Sequence, residues 1–276
     1  MVATNNTEIK NLIKLSIQVS LNGLSFCTLN CADHSVIWYK KIKFKKEYNP
    51  VKILEQIELL FASEEELKRS IDEVVLLFSN DLYSLVPGEY FIEEDASNYL
   101  KFNTKILKTD IVAQDHILDS TLVNVYIPYT NITNFLFDKY GEFEYKHTVS
   151  VLIESVINLH KNNSVNLYLN NNDGYFDLVV VKNNTLLLAN TFSYDTKEDF
   201  IYYLLFTAEQ LELDTSKLHL WLLGNITKES SLYSITYTYI KNIDFLLCNF
   251  DLSAETHSTQ EFQREAFTLI NSIKCE

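Results

Sequence analysis

The sequence predicts an α/β protein of two similar halves that face each other across a cleft. The first observation is a run of three short strands over residues 15–19, 24–29 and 36–44, then a helix over 50–62 and an apolar strand over 73–79. The second is the recurrence of that β-β-β-α-β order. Strands over 165–169, 175–181 and 185–194 precede a helix over 196–211 and an apolar strand over 218–224. The third is size and composition. A chain of 276 residues, 47% of them hydrophobic, is long enough for two packed domains.

Leu15, Ile17 and Val19 alternate with Ser16 and Gln18, the period of a strand with one face more buried than the other. Asn22-Gly23 predicts a hairpin turn, since both residues tolerate positive φ. In the third strand Lys41, Lys43 and Lys45 point one way, and Ile42 and Phe44 the other. Lysines along an outermost strand discourage pairing with other chains, and this reading is preferred to a basic binding patch. Asn49 caps the next helix and Pro50 takes its first position. Val51, Leu54, Ile57 and Leu60 or Phe61 form its expected buried stripe. Residues 74–78 are a continuous apolar run, the mark of a strand covered on both faces.

Residues 81–121 are the least regular, with a turn expected at 84–88 and a short helix start at 93–97. A buried strand over 122–127, a helix over 131–140 stopped by Gly141, a strand over 143–145 and a helix over 149–159 complete the first half. In the second half, residues 170–174 form a polar turn in which Asp173-Gly174 is ordinary hairpin chemistry. Thr196 and Asp199 form a capping box, with Asp in place of the usual Glu. Segments over 227–239 and 245–247 and a helix over 260–273 close the chain. These breaks predict domains of residues 12–163 and 164–276, with the last helix free to pack back on the first domain.

The net charge is −14. That charge repels phosphate backbones and anionic membranes, so nucleic-acid binding is not expected. No apolar run approaches the roughly 18 residues of a membrane span, and residues 1–10 lack a signal-peptide pattern, so no membrane insertion is expected. Cys27, Cys31, Cys248 and Cys275 make no dense framework and are read as free thiols in a reducing cytoplasm. The six histidines share no recurring spacing, and no metal ligand set is expected. Trp38 and Trp221 lie in strand patterns and are read as core residues.

Three segments carry a resemblance: Leu15-Ser16-Ile17-Gln18-Val19, the run Asn80-Asp81-Leu82-Tyr83-Ser84-Leu85-Val86-Pro87, and Cys275-Glu276 after an amphipathic helix. With the two three-strand units, they resemble a bacterial domain-of-unknown-function family within the actin-like ATPase superfamily. The resemblance implies duplicated actin-like (ribonuclease H-like) domains, mixed five-stranded sheets with helices on both faces, and an interdomain cleft. It also implies ATP as the possible ligand of that cleft. ATP-using members carry Asp-x-Gly in the first hairpin of each domain. The carboxylate holds metal-bound water and the glycine admits backbone N–H groups to phosphate.

Placed on this chain, that motif falls on Gln18-Val19-Ser20 and Tyr168-Leu169-Asn170, with neither acid nor glycine. The adenosine-contacting Gly-Gly pair is reduced to Gly224-Asn225. Asp81 is the acid in the place of a catalytic carboxylate after a first-domain strand. The residues left as candidate cleft contacts are Ser20, Asn22, Asn170, Asn171, Gly224 and Asn225. No catalytic residue is assigned. The expected function is a non-catalytic scaffold or adaptor of the bacterial cytoplasm that binds a protein partner or itself, with no resident cofactor. The alternative is a nucleotide-binding switch without efficient hydrolysis, or a kinase-like enzyme using the cleft.

Overall fold

The computed structural model describes residues 12–101, 106–107, 110–160, 164–247 and 259–274. Strands β1 (Ile13–Ser20), β2 (Gly23–Asn30) and β3 (Ser35–Lys43) form an antiparallel meander. Helix α1 (Pro50–Ser63) follows. It is capped by Asn49 Oδ1, which accepts from Lys52 N at 2.9 Å, with Pro50 in the first turn. Its buried residues are Ile53, Ile57 and Phe61, while Val51 lies outside at 65% exposure. The expected stripe was therefore rotated, because an i, i+4, i+8 row fits the face better than one begun at Val51.

Strand β4 (Glu73–Phe78) pairs parallel to β1. The irregular stretch contains more order than its sequence suggested. Strand β5 (Tyr83–Pro87), followed by helix α2 (Ala96–Leu100), and strand β6 (Ala113–Ile117) were not expected, and they pair with the expected strand β7 (Leu122–Tyr126) in a three-stranded sheet of order β5-β7-β6. Helix α3 (Thr130–Tyr140) ends at Gly141, where φ is +76°. Strand β8 (Glu144–His147) and helix α4 (Thr148–Val156) follow.

The second half repeats the order. Strands β9 (Val165–Asn172), β10 (Tyr175–Lys182) and β11 (Thr185–Ser193) form a meander. Helix α5 (Lys197–Gln210) starts on the expected box, with Thr196 Oγ1 accepting from Asp199 N at 3.1 Å and Asp199 Oδ2 accepting from Thr196 N at 3.0 Å. Strand β12 (His219–Gly224), helix α6 (Ser231–Tyr239) and strand β13 (Asn242–Phe245) complete the sheet. The final helix is two short ones, α7 (Gln260–Glu265) and α8 (Phe267–Ser272).

Two mixed five-stranded sheets result, β3-β2-β1-β4-β8 and β11-β10-β9-β12-β13. In each, the first strand is central, antiparallel to the second and parallel to the fourth. The lysine strand β3 lies at a sheet edge with Phe44 buried beyond its end. Two of its lysines are not merely solvated, since Lys41 pairs with Glu265 at 2.7 Å and Lys43 with Asp173 at 2.8 Å.

One core unites the molecule. Leu15, Ile17 and Leu76 pack in the same cluster as Leu269 and Ile270 of α8 and Val179, Val181 and Tyr168 of the second sheet. Helix α4 is buried nearly all round because it contacts β8 as well as β10 and β11. Helix α8 packs on β1 and β2, while α7 packs on β12. The opposite face of the second sheet has its own core of Leu167, Leu169, Phe176 and Phe200. Cys27 is buried and not disulfide-bonded, as read from the sequence. Cys31 is disulfide-bonded, against that expectation, and Cys248 and Cys275 lie outside the described residues. No described helix is long and apolar enough to cross a membrane.

Candidate functional site

The repeated topology brings two hairpin turns together at the ends of the central strands. In the first, Ser20 Oγ donates to Asn22 Oδ1 at 2.6 Å and to Gly23 O at 3.0 Å. In the second, Gly174 takes a φ of +87°, so the Asp173-Gly174 turn is tight. The two turns touch. Asn22 Nδ2 donates to Asp173 O, and Lys43 Nζ pairs with Asp173 Oδ1. Asn225 Nδ2 donates to the same Oδ1 at 2.9 Å. Asp173 thus joins β1–β2, β3 and the turn after β12. Its composition-based reading as plain turn chemistry missed this, because the partners are 130 or more residues away in one case and adjacent only through the sheet in the other.

The remaining candidates are bound to one another. Asn171 Nδ2 donates to Asn225 O, and Asn171 Oδ1 accepts from Tyr194 Oη at 2.9 Å. Gly224 has a φ of +72°, and a Cβ there would meet Asn171 O at 2.1 Å. The glycine therefore serves the close approach of β12 to β9. Asn170 Nδ2 donates to Asp177 Oδ2 at 3.3 Å, and Thr191 Oγ1 to Asp177 Oδ1 at 2.8 Å. Burial pushes the Asp177 carboxyl up to about 6. The gap left beside the turns, between Ser20, Lys43 and Asp173, is about 40 Å³.

The register corrects one alignment. β1 and β9 each have eight residues before a two-residue turn, so Gln18, Val19 and Ser20 correspond to Asn170, Asn171 and Asn172. Tyr168 sits two residues earlier, turned into the core at 1% exposure with its Oη 2.8 Å from His160 Nδ1. Gln18 Oε1 accepts from Thr268 Oγ1 at 3.0 Å, which ties the would-be phosphate strand to α8.

Magnesium–ATP does not fit the gap between the two turns. Neither turn offers a carboxylate at the position corresponding to Gln18 or Asn170, and Asp173 is already shared by a lysine and an amide. A gap of 40 Å³ is about the size of one or two waters. Asp81 does lie at the end of β4, on the wall of a separate and larger cavity between the halves. Two hydrogen bonds cross near it, Tyr175 Oη to Ser79 Oγ at 2.8 Å and Tyr83 Oη to Thr191 Oγ1 at 3.2 Å.

The sequence pattern of the family described as "Protein of unknown function (DUF3822)" matches residues 3–243. The fold is similar to that of a Bacteroides thetaiotaomicron protein described as having an actin-like ATPase fold and unknown function. The TM-score is 0.76 at 22% identity, over 88% of this chain and 94% of that one. It is also similar to the PilM–PilN type IV pilus biogenesis complex, with a TM-score of 0.62 at 12% identity over 93% of this chain and 97% of that one. No curated protein matches the chain in sequence. At such identities the likeness shows an actin-like ATPase fold and says nothing of activity.

Proposed function

The chain belongs to the DUF3822 family, and from that premise we propose that it is a non-catalytic actin-like scaffold or adaptor of the bacterial cytoplasm. The observation that carries the reading is the direct contact of the two hairpin turns through Asp173. Where an ATP-using relative needs a gap lined by free N–H groups and carboxylates, this chain has a closed polar seam. The reading takes residues 12–163 and 164–276 as a duplicated pair of domains, held at a fixed angle by that seam and by α4 and α8.

A scaffold acts by its surface. Helices α5 and α6 pack together and leave Tyr202, Phe206, Tyr237 and Tyr239 each more than 40% exposed. Tyr202 and Phe206 stack with ring centroids 5.8 Å apart. Aromatic residues of this kind are enriched at the centres of protein interfaces. The similarity to a protein found in a pilus-assembly complex supports a protein partner or self-association as the use of this face.

The test is a thermal-shift titration of the full chain with ATP and ADP, with and without Mg²⁺, beside a phosphate-release assay. No shift and no turnover are expected. A ligand at roughly 100 times its dissociation constant would add about 2.7 kcal/mol of stability, an effect easily seen. Such a shift with ATP would replace the scaffold reading by a nucleotide switch, and turnover lost in Asp81→Ala would replace it by an enzyme.

A further inference from the structure

Strands β3 and β11 each have nine residues and lie at the edges of their sheets. The opposite edges, β8 and β13, have only four. A long edge strand leaves a row of backbone N–H and C=O groups unpaired and invites pairing with another chain. β3 is guarded against this. Lys40, Lys41 and Lys43 stand along it and pair with Glu64, Glu265 and Asp173 at 2.6, 2.7 and 2.8 Å. β11 reads TLLLANTFS, with no charged residue and no proline. None of its residues is buried.

The register shows which backbone groups face out. Tyr194 N donates to Gly174 O, across to the start of β10. In the same phase, Phe192, Asn190 and Leu188 stand opposite Phe176, Leu178 and Val180. Backbone direction alternates along a strand, so the N–H and C=O groups of Ala189, Thr191 and Ser193 point away from β10. Among the described residues no hydrogen bond reaches them. The bulge opposite Val180 and Val181 lies before this stretch, so the outward row is regular. Ala189 packs on the main core, and Leu188 and Phe192 pack on the core of the second sheet, so the strand is held from both faces. Phe192 stacks on Tyr203 of α5 with centroids 5.2 Å apart. Tyr203 is 5.4 Å from Tyr202, and Tyr202 is 5.8 Å from Phe206. An unbroken run of rings thus links the free edge to the exposed pair on α5.

We propose that β11 pairs antiparallel with β11 of a second copy of this chain across a twofold axis, joining two five-stranded sheets into one of ten. A twofold axis makes a strand antiparallel to its own copy, and each copy then offers the same N–H and C=O groups in reverse order. Charge selects the occupant. Two chains of net charge −14 repel each other, so a contact between copies must lie where like charges do not meet. β11 brings no charge to the axis. A partner recognised by opposite charge would find nothing on this strand to pair with. The rings of α5 beside the edge add apolar area to the backbone hydrogen bonds. The inference names a second copy as the partner in the scaffold reading and rests on that reading. Nucleotide binding or turnover would overturn the reading, whereas the pairing stands or falls on the state of assembly.

The test follows the full chain by sedimentation velocity and amide hydrogen exchange as its concentration rises. The parent is expected to pass from monomer to dimer. Amides of residues 187–193 should exchange at least about tenfold more slowly in the dimer than in dilute protein. The Leu187→Lys/Asn190→Lys variant gives β11 the kind of guard that β3 has, at two exposed positions. It should stay monomeric at concentrations where the parent is a dimer, with its melting temperature within about 2 °C of the parent. If that variant does not fold, the exchange of the parent decides. A parent chain that is monomeric throughout overturns the proposal. So does a dimer whose residues 187–193 exchange as fast as in the monomer, or a folded lysine variant that dimerises like the parent.

Discussion

Asp177 shows how a single residue records its surroundings. It is 2% exposed on β10, where two asparagine amides and Thr191 Oγ1 point at its oxygens. Among the described residues no cation faces it at hydrogen-bond range, so burial dominates and the carboxyl rises from 3.8 to about 6. The folded state therefore holds a proton that the unfolded state has released between these values. Its stabilising share is full below pH about 4 and is lost as pH rises through 6. The lost share is about 3 kcal/mol at most. In urea melts, Asp177→Asn should gain on the parent by up to that amount between pH 4 and pH 7. A constant difference across that range would show that Asp177 is ionised in the fold at all these pH values. His147 works in the opposite sense, since burial lowers it to about 3 and its stabilising share is lost as pH falls below its ordinary value of 6.5.

At the scale of elements, the pairing of β9 with β12 ends on Gly224. Its partner in the ladder is Asn171, and Asn225 N donates to Asn171 O at 2.8 Å just beyond it. Gly224→Ala would meet both a positive φ and the Asn171 carbonyl. Left-handed backbone costs an alanine about 1–2 kcal/mol, and relieving the overlap adds about 1–3 kcal/mol. A loss of about 2–4 kcal/mol in chemical denaturation is expected. A loss under about 0.5 kcal/mol would mean that the β12 turn relaxes freely and does not hold the seam. Helix α8 shows the same dependence on neighbours. It has only six residues, too few to stand alone, and is held by Phe267, Leu269 and Ile270 in the main core and by Ser272 Oγ and Thr268 Oγ1 against Ser16 and Gln18.

For the whole molecule, we propose that the exposed rings of α5 and α6 form a surface for self-association. Sedimentation velocity should show concentration-dependent association of the parent chain. The Tyr202→Ser/Phe206→Ser double variant should sediment as a monomer at every concentration, with its melting temperature within about 2 °C of the parent, because both side chains are largely exposed. Association that survives the double variant would move the contact elsewhere. A parent chain that is monomeric throughout would leave the face to a different protein.

The sequence by itself determined the β-β-β-α-β order that opens each half, the Asn49 and Thr196 caps and the edge position of the lysine strand. Those features depend on neighbours within a few residues, or on a period of two, and such signals are local. It also shows that no acid stands in the Asp-x-Gly positions. It carried β7 but not β5 and β6, the strands that pair on either side of it, because strands of five residues with mixed patterns become strands only by pairing. Nor did it reveal the true counterpart of Gln18, which the hairpin register alone places at Asn170. Only the tertiary structure decided that Asp173 closes the seam with Asn22, Lys43 and Asn225, and that Glu47, Asp81 and Tyr129 share one wall. Those groups come from segments far apart in the chain, and their chemistry exists only once folding has brought their charges and hydrogen-bonding atoms within a few ångströms of one another.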